Sequence, residues 1–83
     1  MESGNELRKH VDELHTTELG ALRIKKNLSL DTEDVVAWCK KKIASLQSSI
    51  SREGKNWYVN IDGSIITVNA YSYTIITAHK EKR

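Results

Sequence analysis

The 83-residue chain has one cysteine, Cys39, so no intrachain disulfide is possible and a reducing compartment suits it. There is no CxxC pair and no HxxxH spacing among its three histidines, so neither a metal site nor a cofactor is implied. It also lacks a Gly-rich phosphate loop, a GxSxG elbow and a paired-carboxylate pattern. No apolar run approaches the roughly 20 residues that span a bilayer. The start shows no charged n-region followed by an apolar h-region, so the expected location is cytoplasmic, with no membrane partner. A strong excess of one charge is missing too. A net charge of +2 and a pI near 8.8 do not by themselves indicate nucleic acid.

What remains is a soluble globular composition, with 29% charged and 39% apolar residues. One domain over residues 1–83 is expected. A domain of this size buries only about 60–65% of its unfolded surface, so its core is thin and a homodimer would help it. The cations come in patches: Arg23, Lys25 and Lys26; Lys40, Lys41 and Lys42; Arg52 and Lys55; Lys80, Lys82 and Arg83. The acids concentrate before residue 35, leaving the C-terminal half basic.

Residues 1–6 are polar and expected to fray. Leu7, Val11 and Leu14 recur at helical spacing. Thr17 can cap a second segment, in which Leu19, Leu22 and Lys26 follow at helical spacing and Asn27 can supply a left-handed end. This region reads as one kinked helix or two short ones. Asp31 can cap a further helix, with Glu33 and Asp34 adding charge to its first turn. Its stripe is Val36, Cys39, Ile43 and Leu46, and residues 45–49 end it. The helical layer thus covers residues 7–48.

From residue 50 to 80 the period is two. Trp57, Val59 and Ile61 alternate with Tyr58 and Asn60, and Asp62-Gly63 signals a type I′ hairpin. A two-residue turn there pairs Val59 with Ile66 and Trp57 with Val68, all apolar on one face. Residues 64–69 and 72–79 follow as strands, and Ile50 and Arg52 can form a short strand before the Glu53-Gly54 turn. The fold class is α+β: two or three N-terminal helices on one face of a three- to four-stranded antiparallel meander. Tyr58, Asn60, Thr67 and Asn69 face away from the helices. For the last strand, a turn of three or five residues sends Thr74, Ile76 and Ala78 inward and Tyr73, Ile75, Thr77 and His79 outward. A turn of two or four residues reverses this. Both faces carry an isoleucine. The first register is the expected one, because burying a histidine and a tyrosine in a thin core requires partners.

Three groups carry candidate chemistry. His79 and Lys80 close the last strand; they form either a solvated end or an acid/base with a cationic neighbour, and Thr77 on the same face can donate a hydrogen bond. His15-Thr16-Thr17 is either a capped helix break or a phosphate contact. Lys55, Asn56 and Tyr58, beside a core Trp57, suit the backbone and bases of single-stranded RNA. Cys39 on the apolar stripe belongs to the core.

The strings LHTTELGALRIKKNL, VVAWCKKKI, GKNWYV, ITVN and SYTIITAHK resemble a family of short bacterial proteins classed as a domain of unknown function, over roughly residues 13–82. That resemblance implies one compact module and no assigned activity. Helices followed by a meander ending in I-I-T-A-H also resemble the RelE, barnase and colicin D group of small ribonucleases. In that group RNA lies on the sheet face opposite the helices. The resemblance maps Thr77, His79 and Lys80 onto the closing strand and Lys55 and Tyr58 onto the first long strand, with His15 approaching from the helices. The open face carries fewer arginines than a ribosome-dependent toxin would.

Two functions follow. One is a small, toxin-like, metal-independent endoribonuclease acting on single-stranded RNA, with His79, Lys80, Thr77 and Lys55 catalytic and Tyr58, Tyr73, Asn56, Arg52 and His15 binding RNA. The other is a non-catalytic module for an RNA or protein partner. Convergence of His79, Tyr58 and Lys55 within about 8 Å would favour chemistry.

Overall fold

A computed structural model describes residues 4–81, with side chains from Glu6 onward. Helix α1 spans Gly4–Lys9 and so begins inside the stretch expected to fray. A 3-10 turn, Val11–Glu13, follows, then α2 (Glu18–Leu28) and α3 (Val35–Ala44). Strands β1 (Ser49–Glu53), β2 (Asn56–Ile61), β3 (Ser64–Asn69) and β4 (Ile75–Lys80) form one antiparallel sheet in chain order. The α+β class holds, with three α-helices and four strands among the described residues. Lys82 and Arg83 of the C-terminal basic patch lie outside the described residues. Among the described residues, no helix is long and apolar enough to cross a membrane.

The helix ends correct three expectations. Thr17 caps α2 as expected, its hydroxyl accepting from Gly20 N–H at 3.0 Å. The left-handed end is Ser29, at φ 52°, rather than Asn27. Asn27 instead donates through Nδ2 to the Ala78 carbonyl of β4 at 3.2 Å. Asp34, not Asp31, caps α3, accepting from Ala37 N–H at 2.9 Å. The later start buries Val35, Cys39 and Ile43, four residues apart, and leaves Leu46 outside the helix and exposed.

Helix α2 also turns a different face inward. Gly20, Ile24 and Leu28 are buried, while Leu19 and Leu22 are 74% and 63% exposed. Close approach to β4 explains the choice. Thr16 Oγ1 donates to the Ile75 carbonyl at 2.8 Å, and a Cβ at Gly20 would come within 2.4 Å of Thr16 Oγ1. With Asn27, Thr16 therefore occupies carbonyls of an edge strand and seals it.

The core joins Leu7, Leu14 and the buried helix residues to Trp57, Val59, Ile61, Ile66, Val68, Ile75 and Ala78. Each leucine, isoleucine or valine side chain so buried contributes about 1.5–3 kcal/mol. The β2–β3 register is the expected one, Trp57 opposite Val68 and Val59 opposite Ile66. Asp62 and Gly63, at φ 51° and 76°, make the turn. Lys42 of α3 pins it from the helical side, its Nζ 2.6 Å from Asp62 Oδ2.

The β3–β4 junction realises both registers. Asn69 N–H donates to the Thr74 carbonyl at 2.8 Å, so the loop holds four residues and Ile75 turns inward opposite Val68. Ile76 then bulges out, and the register shifts by one. Beyond it Ala78 faces in and His79, paired with Ile65, faces out as expected. The expected inward Ile76 and outward Ile75 are therefore exchanged.

Candidate nucleic-acid interface

At one end of the sheet two loops meet. The Gly54-Lys55 turn joins β1 to β2, and residues 70–74 join β3 to β4. Ala70 N–H donates to the Lys55 carbonyl at 2.7 Å and stitches them together. Asn69 builds the second loop. Its Oδ1 accepts from Tyr71 N–H at 2.9 Å, Ser72 N–H at 3.0 Å and the Ser72 hydroxyl at 3.2 Å. This turn chemistry projects Tyr71, which is 73% exposed.

Five of the predicted residues gather at or near this end on three surfaces. Asn56 and Tyr58 lie on the open face, half-buried, with Asn56 Nδ2 3.4 Å from the Tyr58 hydroxyl. Lys55 is exposed at the rim. Arg52 shares the helix-side face with its cross-strand neighbour Trp57. Its guanidinium lies 5.3 Å from the Trp57 ring and 5.7 Å from the Tyr71 ring, and Nε donates to the Gly54 carbonyl at 2.9 Å. Those cation–π contacts hold the charge close to the exposed phenol. His15 is exposed nearby: Nε2 lies 3.0 Å from Thr74 Oγ1, and Nδ1 lies 3.0 Å from the Glu13 carbonyl. A carbonyl only accepts, so Nδ1 carries the proton. The His15 backbone also exchanges bonds with Tyr73 and Ile75, so this residue ties the helical layer to β4.

Tyr73 is not on the open face. It adopts a left-handed φ of 59°, a conformation that costs a non-glycine residue about 1–2 kcal/mol. The loop turns its ring toward the helices, 5.2 Å from the His10 ring. His10 in turn lies 2.6 Å from Glu13. Partial burial pushes the Tyr73 phenol up, and Glu13 and Glu6 push it the same way against Arg52. Tyr71 takes the exposed aromatic position at this rim instead. The sequence signal for it was the Asn69 turn residue two positions earlier.

The remaining predicted residues lie elsewhere. Thr77 is half-buried on the open face opposite Thr67. Thr67, flanked by Tyr58 and Thr77, is only 8% exposed, so the middle of this face is filled rather than grooved. His79 and Lys80 are exposed at the far end, where Lys80 pairs with Ser64 and His79 Nδ1 lies 3.1 Å from the Lys80 carbonyl. By the register, at about 4.8 Å per strand and 3.3 Å per residue, the His79 Cα lies roughly 12 Å from that of Tyr58 and roughly 19 Å from that of Lys55. The three do not converge. Cys39 is fully buried, and that burial pushes its thiol up to about 12, so it is inert at neutral pH.

Residues 8–79 match the family described as "Protein of unknown function (DUF3781)". The chain belongs to this family. No curated protein and no solved structure matches it. The DUF3781 match covers all four strands except the last residue of β4, so the two stitched loops fall within the family unit.

Proposed function

We propose that the protein is a non-catalytic module that binds single-stranded RNA at the two-loop end of its sheet. The observation that carries this reading is the joining of two loops by the Ala70–Lys55 backbone bond, which sets Lys55 near Tyr71 and its helix-side neighbour Arg52, at the same sheet end as Asn56 and Tyr58 on the open face. Tyr58 offers a face for a base, and such stacking contributes about 1–3 kcal/mol per base. The Asn56 amide can read a splayed base edge. Lys55 and Arg52 meet phosphates. With about two phosphates neutralised, log K falls against log salt with a slope near −1.4 for a single strand.

The test is fluorescence anisotropy of a short labelled single-stranded RNA in EDTA, titrated from about 50 to about 200 mM salt. Binding with that shallow slope and an intact oligonucleotide is the expected result. No binding at low salt overturns the reading and leaves a protein partner for the same rim.

A second reading, the metal-independent endoribonuclease, draws support from Thr77 and His79 sharing the open face beside Lys80. There the 2′-OH would attack the adjacent phosphate and expel the 5′-oxygen of the next nucleotide, leaving a 2′,3′-cyclic phosphate, with His79 taking the 2′-OH proton or giving one to the leaving oxygen and Lys80 stabilising the charge. RNA cleavage in EDTA that is lost in His79→Ala would favour it over the binding module.

A further inference from the structure

Among the described residues, nothing covers the apolar stripe of helix α2. Leu19 and Leu22 project from the helical layer, 74% and 63% exposed, although they stand at a spacing that normally marks a buried face. Beside them, between α2 and the start of α3, runs an open groove of about 390 Å³ whose floor includes Ala21, Leu22 and Val35. The charges along the helix are divided by sign: Glu18 in the first turn, then exposed Arg23 and, in the last turn, Lys25 and Lys26.

We infer that this face is covered by α2 of a second copy, packed antiparallel about a two-fold axis near Leu22. The charge order decides the direction. Antiparallel packing centred on Leu22 sets Glu18 opposite the second copy's Lys26, and that copy's Glu18 opposite Lys26 here. It also opposes the two helix dipoles favourably. Parallel packing would bring glutamate against glutamate and lysine against lysine. Each copy's Leu22 then enters the groove beside the other's Ala21, as a side chain of one helix fills a gap on its neighbour. The surface lies on the helical layer, away from the RNA-binding rim, so the inference stands independently of the proposed function.

The contact is small. Eleven residues of helix make a strip roughly 16 Å long and about 10 Å wide, on the order of 160 Å² per copy, well below the roughly 1,200–2,000 Å² total of a standard stable interface. The dimer is therefore weak and concentration-dependent. Sedimentation equilibrium from about 10 µM to about 1 mM tests it, a range matching micromolar-to-millimolar affinity. The expected result is a mass rising from 9.4 kDa toward twice that value. Leu22→Glu, at an exposed position and checked for folding by circular dichroism, holds the mass at one copy. Glu18→Lys and Lys26→Glu each weaken association at least threefold, and the double reversal restores it. A wild-type chain that stays monomeric at the highest concentration overturns the inference. So does association that survives Leu22→Glu, and a double reversal that fails to restore what the single changes lose overturns the antiparallel arrangement.

Discussion

The two ends of the sheet carry similar side-chain types on different scaffolds. At the Asp62-Gly63 end, His79 and Lys80 terminate an edge strand, and the His79 ring bonds to the next carbonyl in its own chain. At the other end, Lys55 and Tyr71 sit on separate loops held together by a backbone hydrogen bond, with Arg52 bridging the Trp57 and Tyr71 rings. The first end displays groups; the second positions them relative to one another. Recognition needs fixed mutual geometry, so titratable residues closing a strand are weaker grounds for a site than two loops locked together.

Substitutions made in pairs across the molecule sharpen that contrast. The largest expected effect is Tyr58→Ala, which lowers single-stranded RNA affinity about 5- to 150-fold by removing a stacking platform. His79→Ala leaves anisotropy titrations within about twofold of wild type, since no contact at the rim depends on it. A comparable loss at both substitutions would break the distinction between the ends.

Next come two changes of similar cost to the fold. Asn69→Ala removes the acceptor of three hydrogen bonds, and Gly63→Ala places a side chain at φ 76°. Each destabilises the domain by about 1–2 kcal/mol in urea unfolding. Only Asn69→Ala weakens RNA binding, by about 3- to 10-fold, because only it loosens the loop that carries Tyr71. Lys55→Ala has a smaller effect, a few-fold loss near 100 mM salt with the slope falling from about −1.4 to about −0.7. The smallest is a gain. Glu53 faces outward opposite Asn56, so Glu53→Gln removes a carboxylate that repels phosphate and tightens binding about twofold at low salt.

Much of the fold is legible in the residues, for reasons that differ by element. The β2–β3 hairpin is unambiguous because Asp62-Gly63 accepts two left-handed conformations and the paired positions are apolar on one face only. Helix α2 is legible as a helix but not in its facing. Leu19-Leu22-Lys26 and Gly20-Ile24-Leu28 both run at helical spacing, and the choice depends on Gly20 letting Thr16 reach β4, a contact distant in sequence. In β4, adjacent isoleucines make inside and outside equivalent, and a four-residue loop followed by a bulge uses one of each register. The separation of Lys55 from His79 is legible in the meander itself. Successive strands alternate in direction, so the start of β2 and the end of β4 lie at opposite ends. The meeting of Arg52 with Tyr71 is not legible, because it depends on the exact turns of two loops.

The most direct measurement is an amide chemical-shift map of the protein titrated with a short single-stranded RNA. The account predicts that the perturbed amides cluster at Gly54–Tyr58 and Asn69–Ser72, with those of Ile61–Ile65 and Ala78–Glu81 unmoved. Perturbations centred on His79 and Lys80, with the two-loop rim silent, would contradict it.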